Sequence, residues 1–370
     1  MIMRDMSIYL DNNATAPLRP AAIAAMQDAM GPPINPSSVH GFGRDARLIV
    51  ETARESVAML AGCYPSDIVF TSGGTESNNL VLAQYEDLIT SAIEHDSVRQ
   101  VHDQCKVISV DKNGLINLDF LARALAAIAE EKKTRTVVSV MAANNETGVL
   151  QPIDQIAEMA RKANVAFHSD MVQIVGKSHI DFTHSQISYA SLSAHKIGGP
   201  AGVGALLVRP GFKLANLMRG GGQEQGRRPG TENLIGIAGF GAAASDALND
   251  IDHFNKMAVW RDEFETRMLA ERSGIEVFGG AASRIGNTSC IAAAGKTAET
   301  MVMSFDLAGV AVSAGAACSS GKVKSSHVLE AMGADVRATE AIRISGGWAT
   351  LKSDFETLAD VFLHLYKQSR

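Results

Sequence analysis

Two periodicities alternate along the chain. Short runs rich in Val, Ile and Phe read as buried strands: DIVF at 67–70, VISV at 107–110, TVVSVM at 136–141, VAFHSD at 165–170 and ISYASL at 187–192. Between them lie stretches with apolar residues at helical spacing, the clearest being RDARLIVETARESVAMLAG from 44 to 62, which Gly62 ends. LDFLARALAAIAEE and IDQIAEMARKA, the latter started by Pro152, follow the same rule. AIEHDSV places His95 near a strand end after a helix-like segment, and AGVGALLVRP reads as a glycine-punctuated strand pair. A helical region from about 233 to 272 takes Thr231 as its N-cap and carries a domain boundary near 246. Beyond it, IEVFGG, NTSCIAAA, VAVSAG and AIRISGG are short strands alternating with helices, an α+β unit whose last helix opens with a capping box of Ser353 and Glu356.

At 370 residues the chain can bury one large α/β core and a smaller second one. Charged residues make up 20% and the net charge is -6, so no basic field draws the protein to nucleic acid or anionic lipid. No segment approaches the roughly 20 apolar residues of a membrane span, and MIMRDMSIYLDNN lacks a signal-peptide core, so a cytoplasmic location is expected. The four cysteines, Cys63, Cys105, Cys290 and Cys318, form no CxxC pair, which argues against a zinc site and a disulfide framework. A special cysteine must act alone.

The chemistry concentrates at predicted strand ends, where α/β sheets collect their sites. In SLSAHKIGGP, Lys196 sits in a tight polar turn at the end of one strand; it is either a solvated loop lysine or an amine able to form a Schiff base. Asp170 ends another strand 26 residues earlier, with Gln173 three residues on. A carboxylate and a lysine so disposed are the pairing that pyridoxal phosphate requires, the carboxylate keeping the pyridine nitrogen protonated. The turn SGGTES opens a helix with Glu76 in its first turn, so the N–H groups at Gly74 and Thr75 form either a phosphate cradle or a plain connection. Asn144, Asn145, Glu146 and Thr147 crowd the end of a further strand. Arg343, inside AIRIS, needs an anionic partner, either a structural carboxylate or a substrate's. Cys318 lies in SAGAACSSGKVKSS among small residues, a candidate nucleophile or an inert loop thiol, whereas Cys290 has apolar neighbours.

Taken in order, DNNATAP, NPSSVHGFGR, FTSGGTESNN, NNETG, SDMVQ, SAHKIGGP, GGGQEQGRRPGTEN, SAGAACSSG and IRIS span the whole chain. Together they resemble the cysteine desulfurases of the class V aminotransferase family, in the long-loop group of nitrogen fixation and housekeeping iron–sulfur assembly. The resemblance implies a fold type I pyridoxal phosphate enzyme: a large, mostly parallel sheet domain with helices on both faces (16–245) and a small α+β domain (1–15 and 246–370) bearing the nucleophile loop. It implies that Lys196 forms the Schiff base and shuttles the Cα proton, that Asp170 pairs with the pyridinium, that Gln173 bonds the phenolic oxygen and that His95 stacks on the ring. Gly74, Thr75, Ser193 and His195 would hold the phosphate, with Thr231 reaching it from the other subunit of a homodimer. Asn145 and Arg343, with Asn12, would hold the carboxylate of L-cysteine. Cys318 would take the sulfur as a persulfide and pass it to an acceptor such as an iron–sulfur scaffold protein, where its one metal contact would be a transient meeting with the acceptor's cluster.

A selenocysteine lyase or plain aminotransferase of the same family would share Lys196 and Asp170 without the same dependence on Cys318. A non-catalytic assembly partner would be expected to have lost one of the two. The chain departs from its relatives at Lys324 and Ser325, commonly Glu and Pro, and at Gly346 and Trp348, usually a bulky apolar residue and arginine. It also ends at Arg370, so the tail that housekeeping members offer to a scaffold is expected to be missing.

Overall fold

The computed structural model describes residues 8–31, 35–215, 218–315 and 325–367. From the N-terminus, β1 (Ile8–Tyr9) leads to α1 (Pro20–Asp28) and α2 (Gly41–Ala61). Alternating elements follow: β2 (Ile68–Thr71), α3 (Gly74–Leu82), β3 (Asp87–Ser91), α4 (Asp96–Arg99), β4 (Lys106–Ile108), α5 (Leu118–Ala126), β5 (Thr136–Ser139), α6 (Ile153–Lys162) and β6 (Ala166–Asp170). Strands β7 (Tyr189–Ser193) and β8 (Gly204–Val208) complete a seven-stranded sheet of order β2-β8-β7-β6-β5-β3-β4. It is parallel except for β8, which runs antiparallel to both neighbours. Most of its strands are buried throughout, which is why they read as apolar runs rather than alternations.

Helices α7 (Leu234–Ala247) and α8 (Ile251–Glu271) lead into β9 (Ile275–Val277), β10 (Thr288–Ala293), α9 (Ala298–Leu307), β11 (Val310–Ala311) and β12 (Ser313–Ala314). The chain closes with α10 (His327–Ala331), β13 (Ala341–Ser345) and α11 (Lys352–Lys367). Here the sheet is antiparallel, ordered β12-β13-β10-β9, while β1 pairs in parallel with β11. One apolar cluster, from Ala22 to Ala247, fills the space around the large sheet. Another joins Leu10 to residues 254–363, so the N-terminal strand packs with the C-terminal part of the chain.

Helix α2 ends as read, with Gly62 at φ 59, a left-handed value at which a side chain would be strained. Other boundaries moved. The segment before His95 is strand β3, not helix, and AGVGALLVRP makes one strand, β8, rather than a pair. The region 233–272 divides into α7 and α8. Asn233, not Thr231, caps α7, because its Oδ1 accepts the Gly236 N–H at 3.1 Å. Helix α11 is entered earlier than the Ser353–Glu356 box predicts, with the Asp354 carboxylate accepting the Leu351 N–H at 2.8 Å. Small residues set the packing of α2 on α7, since a methyl group on Gly241 would lie 2.5 Å from the Ala53 Cα.

The unusual Gly346 and Trp348 have steric accounts. A Cβ on Gly346 would meet the Met257 sulfur at 2.5 Å, so Met257 leaves no room for a side chain there. Trp348 donates from Nε1 to the Pro17 carbonyl at 2.9 Å, and the Arg19 guanidinium lies over its ring at 5.2 Å. Arg19 is itself held by the Ile197 carbonyl and Asp250.

Candidate active site

The carboxyl ends of β6 and β7 open into a cleft of ≈ 390 Å³ between the large sheet and the C-terminal strands. Ten of the residues singled out from the sequence line it: Gly74, Thr75, His95, Asn145, Asp170, Gln173, Ser193, His195, Lys196 and Arg343. They come from separate strand ends and loops, which parallel connections bring to one edge.

Asp170 ends β6 and is 8% exposed. Its oxygens accept from the Asn78 side-chain amide at 2.9 Å and the Val172 N–H at 3.0 Å. Lys196, just beyond β7, donates from Nζ to the carbonyls of Asn13 at 2.5 Å and Ala14 at 2.8 Å. Burial, reinforced by Arg343, lowers the Lys196 ammonium to about 8 against the opposing pull of Asp170 and Asp11. Burial, with Lys196 beside it, lowers His195 to about 4, so the imidazole is neutral at pH 7.

The glycine turn supplies a cradle. Gly73 (φ 149) precedes α3, leaving first-turn N–H groups without helical acceptors. Side chains have been excluded from its surroundings: a Cβ on Gly204 would lie 2.7 Å from the Gly73 Cα, and one on Gly74 would lie 2.9 Å from Val172. Glu76 secures the turn by accepting the Ser72 N–H at 2.7 Å and pairing with Arg228. His95 caps α4 through Nδ1, which accepts the Ser97 N–H at 3.1 Å, so a neutral ring carries its proton on Nε2.

Arg343 lies on β13 and pairs with Asp11 through Nη2 at 2.6 Å, while Nη1 donates to the Asn145 carbonyl at 3.3 Å. The structural carboxylate that its burial demanded is therefore Asp11. Its Nε–H remains buried without a partner among the described residues.

Three expected residues are not brought into this lining. Asn12 is 3% exposed, and its amide is spent on the carbonyls of Tyr9 and Ser345 at 3.3 and 3.0 Å. Its neighbour Asn13 lines the cleft instead, with Nδ2 bonded to the Asn145 carbonyl and to Thr288; residues 12–14 form a turn, closed by the Ala14 N–H to the Asp11 carbonyl at 3.0 Å, that sends the two amides different ways. Thr231 is exposed on the loop before α7. Cys318 and Lys324 lie outside the described residues; Ser325 adjoins Ser326, which caps α10. Glu146, named at its strand end without a role, also lines the cleft, and the sequence reading passed over Asn78 and Lys177. Asn78 stood inside a quoted motif, whereas no local pattern marks Lys177.

Residues 8–358 match the class V aminotransferase family. The chain belongs to that family. A cysteine desulfurase of Gluconacetobacter diazotrophicus is 38% identical, covering 96% of this chain and 92% of its own. A NifS-like protein of Rickettsia africae superposes with a TM-score of 0.90 at 35% identity, covering 98% of this chain and 99% of its own. A solved structure of SspA in complex with cysteine gives a TM-score of 0.77 at 30% identity, covering 93% and 100%. The family depends on pyridoxal phosphate, and the donor set here fits that group: a carboxylate for the ring nitrogen, a partly neutral lysine, and a side-chain-free turn beside Ser193 and His195. Among the described residues no three His, Cys, Asp or Glu side chains gather as a metal site, and no helix is long and apolar enough to cross a membrane.

Proposed function

We propose that this chain is a cysteine desulfurase, which takes sulfur from L-cysteine, leaves L-alanine and carries the sulfur as a persulfide on Cys318. The observation that carries the reading is the convergence of Lys196, Asp170 and Arg343 in one cleft, from β7, β6 and β13. Pyridoxal phosphate, when bound, supplies a carbonyl that condenses with amines and a ring that accepts electron density from the substrate Cα. Lys196 serves as the amine that holds the carbonyl and then, once displaced, moves the proton at Cα. Asp170 supports the protonated ring nitrogen, Gln173 the phenolic oxygen and His95 the ring face. Gly74, Thr75, Ser193 and His195 bind the phosphate, with Thr231 of a second copy. Asn145 and the unpartnered Nε–H of Arg343 take the substrate carboxylate. In the sulfur step the Cys318 thiolate bonds to the substrate sulfur as the Cβ–S bond breaks, and the persulfide is handed to a sulfur-acceptor protein such as an iron–sulfur scaffold.

The purified protein is expected to release sulfide and equimolar alanine from L-cysteine in the presence of a thiol reductant. Cys318→Ser retains the bound cofactor's absorbance but releases almost no sulfide, and mass spectrometry of the wild type finds one added sulfur on the Cys318 peptide alone. Sulfide release by Cys318→Ser at the wild-type rate would instead assign a lyase that needs no protein nucleophile.

A further inference from the structure

Lys177 has no part in the reaction as assigned, yet it is 4% exposed and lies beneath the cleft. Its Nζ donates to the Asn13 Oδ1 at 3.1 Å and the Gln173 Oε1 at 3.2 Å. A lysine amine donates to both whether charged or neutral, since even –NH2 carries two N–H bonds. With either amide reversed, its NH2 group would face the Nζ ammonium, donor against donor, in a buried place.

We propose that Lys177 is a positioning residue that fixes the amide of Gln173 with its N–H groups towards the cofactor, and anchors Asn13 as the rest for Lys196. Two bonds support this. The Gln173 Nε2 donates to the Asn13 main-chain carbonyl at 3.1 Å, and the Lys196 Nζ donates to that same oxygen at 2.5 Å. The donor face of Gln173 is therefore turned to the place where Lys196 works. Asn13 is pinned on its other side as well, with Oδ1 accepting from Asn287 at 3.0 Å and Nδ2 donating to Thr288 at 2.8 Å, so the shared oxygen is rigidly placed. Burial lowers the Lys177 ammonium to about 7, and the charges that act on it with burial are those of Lys196 and Arg343.

The inference rests on the assignment of Lys196 and Gln173 to pyridoxal phosphate. The test is a spectrophotometric pH titration of the cofactor-loaded protein. In Lys177→Met the Gln173 amide loses the donor to its Oε1 and is oriented by its bond to the Asn13 carbonyl alone, so its N–H groups are held less firmly towards the phenolic oxygen. The absorbance midpoint is expected to rise by about one pH unit. Gln173→Ala should raise it similarly, and the double variant should shift it by clearly less than the sum of the two single shifts, because the lysine acts mainly through the amide. Lys177→Gln, which restores a donor without charge, should bring the midpoint part of the way back, and it replaces Lys177→Met in the comparison if that variant fails to fold. An unmoved midpoint in a folded Lys177 variant, or fully additive shifts, would overturn the inference. Failure of the underlying assignment looks different: borohydride treatment of the wild type would then fix the cofactor to a lysine other than Lys196, or to none.

Discussion

At Lys196 the quantity that matters is the supply of free amine. A lysine lowered to about 8 is roughly a quarter neutral at pH 7.5, against about a thousandth for an ordinary lysine. Uptake of pyridoxal phosphate by cofactor-stripped protein should therefore accelerate as pH rises through about 8 and level off above it. Arg343 is one cause of the lowering, so Arg343→Met should move that midpoint upward. A rate independent of pH between 7 and 9.5 would contradict the assignment. The same shift has a consequence for stability. The folded value lies below the unfolded one, so the folded chain binds fewer protons, and this group makes the stripped protein more stable as pH rises from about 8 towards 10.5. Sequence made Lys196 visible through its turn. It could not give the direction or cause of the shift, because burial and Arg343 arrive from parts of the chain distant in sequence.

Among the elements, the loop GGGQEQGRRPGTEN is held by a contact that its polar composition concealed. Glu224, at φ 46, turns its carboxylate under the sheet edge, where both oxygens bond the Arg54 guanidinium at 2.8 Å and one accepts the Phe70 N–H at 2.8 Å. Arg54 in turn lies over the Phe70 ring at 4.8 Å. Removing one member leaves the other charged and buried, so Glu224→Ala should cost about 3–5 kcal/mol in unfolding free energy, measured by denaturant titration. A loss below about 1 kcal/mol would reduce the pair to the rank of a surface contact. The loop's second tie, Arg228 to Glu76, fastens it to the first turn of α3. The loop carrying Thr231 is thus fastened to α2 and to the first turn of α3 by two ion pairs, neither of which has a sequence periodicity.

For the whole molecule, the reading that Thr231 reaches the phosphate of a second copy predicts a homodimer by light scattering. Thr231→Ala should weaken cofactor retention by one hydrogen bond to a charged group, about 1.5–3 kcal/mol or on the order of 10- to 150-fold in Kd, while leaving Lys196 able to react. A monomer that retained the cofactor firmly would remove Thr231 from the site.

The alternation of buried strands and amphipathic helices, the strand-end positions of Asp170 and Lys196 and the order of the motifs are all local, and the chain alone determined them. So was the separation of a parallel-sheet half from a later run of short strands, since period and loop length are set by neighbouring residues. The tertiary structure decided which side chains the cleft receives. Asn13 rather than Asn12 enters it because the turn at 12–14 is held on Ser345, which leaves one amide to the cleft and the other to the backbone. It also decided that Asp11 satisfies Arg343 and that Lys177 lies beneath Gln173. Such matches depend on strand register and on distant segments meeting, and a residue's own neighbours carry neither.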